Sequence, residues 1–366
     1  MVKNAPSPRK ARVAPPSQKR PAQLTEQRAK TERRSNAAGV GAERLSPDTT
    51  WQRRHLLDLD DFSAAEIAVV LDTTDAMKEV LSRDVPRVPA LRGKTIVTLF
   101  YEASTRTRAS FELAGKVLGA DVINVSAAGS SVQKGEALLD TIRTIQAIGA
   151  DVCILRHHSA GAPYLAARES TFRVINAGDG GHAHPTQALL DAYTLRSQLG
   201  DLRGRKIVIV GDIAHSRVAR SNMWSLTALG AEVVLCGPPT LLPAGLNGAA
   251  PDAEERDLPP VRVEHDLDIA IEDADAVMAL RLQHERQSGG LLPSLREYAR
   301  LYQVNSERMA KAKPGALVLH PGPINEGVEI STEVAHGSRS VVEEQVANGV
   351  AVRMAVLYLL LRGEQP

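Results

Sequence analysis

A chain of 366 residues, 43% of them hydrophobic, is long enough for two or three domain-sized units and a sizeable core. The net charge of only +1 gives no electrostatic reason to expect a nucleic-acid or membrane partner, and no apolar run approaches the roughly 20 residues that span a bilayer. Cys153 and Cys236 each sit in an apolar, strand-like run, which argues against a disulfide framework and fits a reducing cytoplasm.

Residues 1–50 differ from the rest. They carry eleven Lys and Arg against four Asp and Glu, a net of +7, so the remainder carries about −6. Proline is frequent there and large apolar residues are scarce, so a disordered basic extension is expected. An organelle transit peptide has the same Arg-rich, acid-poor composition. The opening Met1-Val-Lys-Asn-Ala-Pro6 lacks the apolar stretch of a secretory signal, and no aromatic interleaving suggests a nucleic-acid-binding arm.

From Trp51 the pattern is globular. Ser63-Ala-Ala-Glu66 is a capping box that opens a helix running past Met77. Strands are expected at 94–100, 121–125, 152–155 and 173–175, with helices over about 105–118, around Leu138 to Ile148 and from Pro185. The pattern restarts after Leu202-Arg-Gly-Arg-Lys206, echoing Leu91-Arg-Gly-Lys94, with strands at 206–210, 232–236, 276–280 and 316–319 and a helix at 221–229. A long helical pattern, 340–361, closes the chain. This alternation predicts an α/β protein of two similar doubly wound parallel-sheet domains joined by interdomain helices. The expected division is an extension over 1–50, a first domain over 51–185, a second over 186–339 that includes a hinge helix at 186–200, and a C-terminal helix at 340–366 returning to the first domain.

Ser104-Thr105-Arg106-Thr107-Arg108 stands between a strand and a helix. Free helix N–H groups, hydroxyls and a forked guanidinium are suited to hold a phosphate. Spacing alone leaves a plain helix cap equally open. Further strand ends bring Arg156 and His157; His184-Pro-Thr-Gln187; Arg217; Arg281 and Gln283; and His320-Pro-Gly-Pro323. In parallel α/β folds the site lies beyond the carboxyl ends of the strands, so these residues together point to a small, multiply anionic substrate set. There is no Walker lysine motif, no dinucleotide-type glycine loop and no nucleophile elbow. His182 and His184 lack a clear third metal ligand, and neither a metal nor a cofactor is expected.

Phe100-Tyr-Glu-Ala-Ser-Thr-Arg-Thr-Arg-Ala-Ser-Phe-Glu112 resembles the carbamoyl-phosphate signature of the carbamoyltransferase family, and the later segments match that family in order over about residues 52–362. Two features favour the branch that acts on aspartate over the ornithine branch. Ser130-Ser-Val-Gln-Lys134-Gly-Glu136 is similar to a loop that gives a Ser and a Lys to a neighbouring subunit's site, and His320-Pro-Gly-Pro replaces a His-Cys-Leu-Pro segment.

The resemblance implies carbamoyl phosphate held by Ser104, Thr105, Arg106, Thr107 and Ser130. It places Arg156 and His184 with Thr107 on the carbamoyl oxygen, and Gln187, Gly322 and Pro323 on the amide. L-aspartate would be held by Arg156, Arg217, Arg281, Gln283 and Lys134. Arg106, Thr107, Arg156, His184 and Lys134 are the expected catalytic set, and Arg108 is expected to be structural. The resemblance also implies a homotrimer with shared sites, a cytoplasmic location, and room for a dihydroorotase or dihydroorotase-like partner. Ala103, Tyr101, Ile324 and Glu326 depart from the usual Pro, Phe, Met and Arg, and Glu326 reverses a charge. An ornithine-specific enzyme and a non-catalytic scaffold are the rival expectations.

Overall fold

The computed structural model describes residues 51–126, 136–243, 245–246, 258–282, 291–292 and 294–362. The expectations for residues 1–50, Ser130, Lys134 and Gln283 lie outside the described residues.

Helix α1 (Ala64–Leu81) opens on the capping box: the Ser63 hydroxyl accepts from Glu66 N, and the Glu66 carboxylate accepts from Ser63 N. The chain then alternates through β1 (Thr95–Phe100), α2 (Thr105–Val117), β2 (Asp121–Ser126), α3 (Leu138–Ala147), β3 (Val152–His157), α4 (Ala162–Glu169), β4 (Arg173–Asp179) and α5 (Pro185–Leu199). The first sheet has the order β2-β1-β3-β4, all parallel. A second series follows: β5 (Lys206–Val210), α6 (Arg217–Ala228), β6 (Glu232–Cys236), β7 (Arg262–Glu264), α7 (Leu267–Ile271), β8 (Ala276–Ala279), α8 (Leu295–Tyr302), α9 (Ser306–Met309), β9 (Leu317–Leu319), α10 (Thr332–Ala335) and α11 (Val342–Arg362). Its sheet runs β7-β6-β5-β8-β9, again all parallel.

Both sheets are covered on both faces. In the first, Ile96 and Ile154 face α1, α2, α5 and α11, while Val97, Leu99, Cys153 and Leu155 face α3 and α4. In the second, Ile207 and Ile209 face α5 and α6, while Val208 and Val210 face α7, α8 and α9. Burial on two sides explains why these strands read as continuous apolar runs. Both cysteines are free and buried, and burial pushes each thiol up to about 12.

Three boundaries move from the sequence reading. β3 and β4 run on through Arg156 and Asp179, because Phe100 pairs with Arg156 and His157 with Asp179. Arg156 is therefore inside its strand rather than after it. α6 begins at Arg217, four residues earlier than expected, because Ser216 caps Ala219 N. The short elements α4, β7, α7, α8, α9 and α10 were not anticipated, since three to eight residues carry too little periodicity.

Helix α11 is, among the described helices, the one long and apolar enough to cross a membrane by length and composition, yet 72% of that span is buried inside the fold. It packs on α1, α2 and α5 as a core helix. Phe111, fully buried in the same cluster, lies 5.2 Å beneath the Arg353 guanidinium of α11. Phe111→Ala is expected to destabilise the protein by about 3–5 kcal/mol, read as a lower denaturant midpoint with an unchanged slope.

Candidate active site

All strands of each sheet point the same way, so their carboxyl ends lie on one edge, and a cavity of about 1120 Å³ opens there. Its lining comes from the turns after β1 (Glu102–Thr107), β4 (Gly180, Gly181, His184), β5 (Ala214–Arg217), β8 (Leu280, Arg281) and β9 (His320–Pro323), together with Arg156, Gln187, Gln345 and Arg353. Of the residues singled out from the sequence, Ser104, Thr105, Arg106, Thr107, Arg156, His184, Gln187, Arg217, Arg281, Gly322 and Pro323 converge on this one space.

The α2 terminus bears on the alternatives left open by spacing, since it lacks the side-chain bond of a plain cap. Ser104 occupies the N-cap position, but its side chain makes no capping bond, and the first turn holds no acidic residue. The free N–H groups and the hydroxyls are therefore available to an anion. Arg106 reaches from this turn to the β9 loop. A Cβ added to Gly322, whose φ is +65°, would overlap the Arg106 guanidinium, so only glycine admits this approach. Burial, and then the charge of Arg281, hold the Arg106 pKa below its ordinary value. A bound anion would relieve both effects on Arg106.

Arg156 and Arg217 are linked through a residue that sequence reasoning gave no role. Glu102 Oε2 lies 3.3 Å from Arg156 Nε and 2.9 Å from Arg217 Nη2. Backbone carbonyls complete the clamp: Arg156 Nη1 donates to Ala177 O at 3.2 Å and Arg217 Nη1 to Gly180 O at 3.1 Å. Gly178 makes room for this, since a Cβ there would stand 2.8 Å from Arg217 Cζ. The signal for Glu102 was its place at a strand end, a lone carboxylate in a cationic turn.

His184 sits at the N-cap position of α5, 5% exposed, with its backbone N–H donating to Ser221 Oγ at 2.9 Å. Burial, reinforced by Arg217, Arg156 and Arg353, holds its pKa well below the usual histidine value. His184 is accordingly a neutral imidazole that can donate one hydrogen bond without becoming charged.

A buried polar network lies under the cavity. Asp191 Oδ1 accepts from Gln187 Nε2 at 2.9 Å and Gln345 Nε2 at 2.7 Å, and Oδ2 accepts from Asn222 Nδ2 at 2.8 Å. Gln345 Oε1 in turn accepts from His320 N at 3.0 Å, which ties α11 to the β9 loop. The loop is braced again by Gly322 N donating to His320 Nδ1 at 2.8 Å. Burial pushes the Asp191 carboxyl up to about 6 and holds Arg353 down to about 10. Gln187, His320 and Gly322 were named from the sequence, whereas Asp191, Asn222, Gln345 and Arg353 were missed because each reads as an ordinary helix residue until the helices are brought together.

His182 does not enter the cavity lining. Its Nδ1 lies 3.2 Å from Asp179 Oδ2 and its Nε2 3.4 Å from Asp58 Oδ2. Hydrogen bonding to Asp179 holds its pKa above the ordinary value. Among the described residues no group of three His, Cys, Asp or Glu is arranged to hold a metal ion.

Two family models match this chain in succession. Residues 54–197 match "Aspartate/ornithine carbamoyltransferase, carbamoyl-P binding domain", and residues 203–360 match "Aspartate/ornithine carbamoyltransferase, Asp/Orn binding domain". The aspartate carbamoyltransferase catalytic subunit of Chloroflexus aurantiacus is 59% identical over 310 residues, covering 84% of this chain and 98% of that protein. Aspartate transcarbamoylase from Trypanosoma cruzi, solved in complex with N-(phosphonacetyl)-L-aspartic acid, superposes with a TM-score of 0.75 at 30% identity, covering 85% of this chain and 96% of that one. Ornithine carbamoyltransferase from Pyrococcus furiosus also reaches 0.75, at 29% identity, covering 86% and 99%. With both domain models matched in order and a relative 59% identical over 310 residues, this chain belongs to the aspartate/ornithine carbamoyltransferase family.

Proposed function

We propose that this chain transfers the carbamoyl group of carbamoyl phosphate to the amine of L-aspartate, giving N-carbamoyl-L-aspartate and phosphate for pyrimidine biosynthesis. The observation that carries the reading is the convergence of the uncapped α2 terminus with Arg106, Arg156, Arg217 and Arg281 on one cavity. Such a site suits a phosphate beside a dicarboxylate. It does not suit a cationic amino acid.

In this reading Ser104, Thr105, Arg106 and Thr107 hold the phosphate, with Ser130. Thr107, Arg156 and neutral His184 donate to the carbamoyl oxygen, where negative charge develops as the amine attacks. Donors fixed there in advance stabilise that charge most strongly. Gln187 and the Gly322–Pro323 backbone position the carbamoyl NH2. Arg156 and Arg217 take the α-carboxylate, and Arg281, Gln283 and Lys134 the side-chain carboxylate. The new C–N bond forms as the C–O bond to phosphate breaks, and the departing phosphate accepts the amine proton. Holding both substrates in register removes most of the orientational cost.

The same reading includes a homotrimer in which Ser130 and Lys134 complete a neighbour's site, a cytoplasmic location, and a surface for a dihydroorotase or dihydroorotase-like partner. The loop resemblance supports the first, and solution size with and without residues 1–50 measures it. Purified protein is expected to release phosphate from carbamoyl phosphate with aspartate and not with ornithine. Product with ornithine alone would reverse the choice of branch.

A further inference from the structure

We infer that Asp191 is a positioning residue that fixes which end of the Gln187 amide faces the substrate, and through it the selectivity for a carbamoyl over an acetyl group. The inference rests on the carbamoyl-transfer reading. An ionised carboxylate can only accept hydrogen bonds. Asp191 is fully buried and receives three amide groups, so each of them must present its NH2 to it: Gln187 and Gln345 at Oδ1, and Asn222 at Oδ2.

That requirement decides what the far end of each amide offers. For Gln345 the outcome is visible, since its Oε1 accepts from His320 N at 3.0 Å. For Gln187, which lines the cavity, Nε2 is committed to Asp191, and the atom left for the cavity is Oε1, an acceptor. A carbamoyl group carries an NH2 where an acetyl group carries a methyl of nearly the same size. An acceptor at this place pairs with the first and gains nothing from the second. A turned-over Gln187 would point its NH2 at the substrate's NH2 and lose the distinction. Sites that hydrogen-bond one substrate group reject the analogue lacking it far more strongly than an apolar pocket can.

The groups packed around Asp191 are Gln187 on its own helix with His184 at that helix's start, Asn222 on α6, and Gln345 and Arg353 on α11. Arg353 is the charged group that acts on it and favours the ionised form. In Asp191→Asn the new NH2 stands either at the Oδ2 place, opposite Asn222, or at the Oδ1 place, opposite Gln187 and Gln345 together, so the way each neighbour is otherwise held decides which turns. Asn222 is held a second time by Val218 O at 3.0 Å, and Gln345 by His320 N, whereas Gln187 has the cavity to turn into.

The test uses the full chain and three probes: carbamoyl phosphate as substrate, with acetyl phosphate and inorganic phosphate as competitive inhibitors. The readout is the ratio of the acetyl phosphate inhibition constant to the KM for carbamoyl phosphate. In Asp191→Asn this ratio is expected to fall at least tenfold, while inorganic phosphate inhibits within about twofold of the unmodified protein. A melting curve at pH 7.5 checks that the variant is folded. A carboxylate whose folded pKa is raised costs stability at neutral pH, a cost relieved from about pH 6 downward, while the variant also takes from buried Arg353 the charge that faces it.

The unmodified protein gives an independent reading. Its ratio should drop as the pH falls through about 6, and taking the ratio cancels the titration of the phosphate common to both probes. A ratio that stays within twofold in a folded Asp191→Asn overturns the inference and leaves carbamoyl transfer intact. A protein that binds neither acyl phosphate overturns the functional reading and the inference with it.

Discussion

Arg106→Ala is expected to lower kcat/KM by about a thousandfold and to weaken carbamoyl phosphate binding in the same variant. The guanidinium reaches from the uncapped α2 turn to the β9 loop, lying directly over Gly322. A bidentate, charge-assisted contact to phosphate contributes about 1.5–3 kcal/mol per hydrogen bond. Removing a donor that stabilises charge developing in the transition state typically costs about 10²–10³ in rate. The two effects fall on the same residue, because the phosphate is both a bound group and the leaving group. Arg106→Lys keeps the charge and loses the fork, so it should recover binding better than turnover. Steady-state kinetics and phosphate inhibition, with circular dichroism to confirm the fold, measure both. An Arg106→Ala protein with unchanged affinity for carbamoyl phosphate would remove the phosphate site from this turn.

The fold was largely legible because parallel strands buried on both faces leave unbroken apolar runs, as in Lys206–Val210 and Glu232–Cys236. What escaped was short or tertiary. α4 begins at a left-handed Gly161 with Pro163 in its first turn, and its eight residues bury only Ala162, Pro163 and Ala166. β7 is three residues on a sheet edge, held by register with β6 rather than by its own propensity.

The site divided in the same way. Residues with an unambiguous chemical habit, such as Arg106, Arg156, Arg217 and His184, could be placed from their position at strand ends. Their supports could not, because the role of Asp191 exists only once α6 and α11 bring Asn222 and Gln345 to it. The reading of Arg156 as lying past its strand failed because backbone pairing to Phe100 continues beyond the apolar stretch. Periodicity sees side chains, and the ladder does not stop where they become polar.

Glu102→Gln should be the most damaging change outside the residues that touch substrate. The Glu102 carboxylate stands between two guanidinium groups that stay charged at any working pH, and the side chains of Arg156 and Arg217 are only 13% and 5% exposed. Removing one partner of a buried ion pair leaves uncompensated charge, which costs about 3–5 kcal/mol where burial is complete. Glu102 itself is 23% exposed, so about 1–3 kcal/mol is the reasonable range after solvent screening. The larger effect falls on catalysis. Without the carboxylate the two arginines repel, and the site that should meet an incoming α-carboxylate is no longer held in register before substrate arrives. A roughly hundredfold loss in kcat/KM for aspartate is expected, with a smaller change in carbamoyl phosphate affinity, because Arg106 and the α2 turn are not in this pair. Anion binding distinguishes a loosened clamp from simple loss of stability. An anion that enters the clamp replaces the missing negative charge, so a dicarboxylate together with phosphate should raise the melting temperature of Glu102→Gln by more than it raises that of the unmodified protein. Equal shifts in the two proteins would mean that Glu102 does not share its place with the substrate's carboxylate.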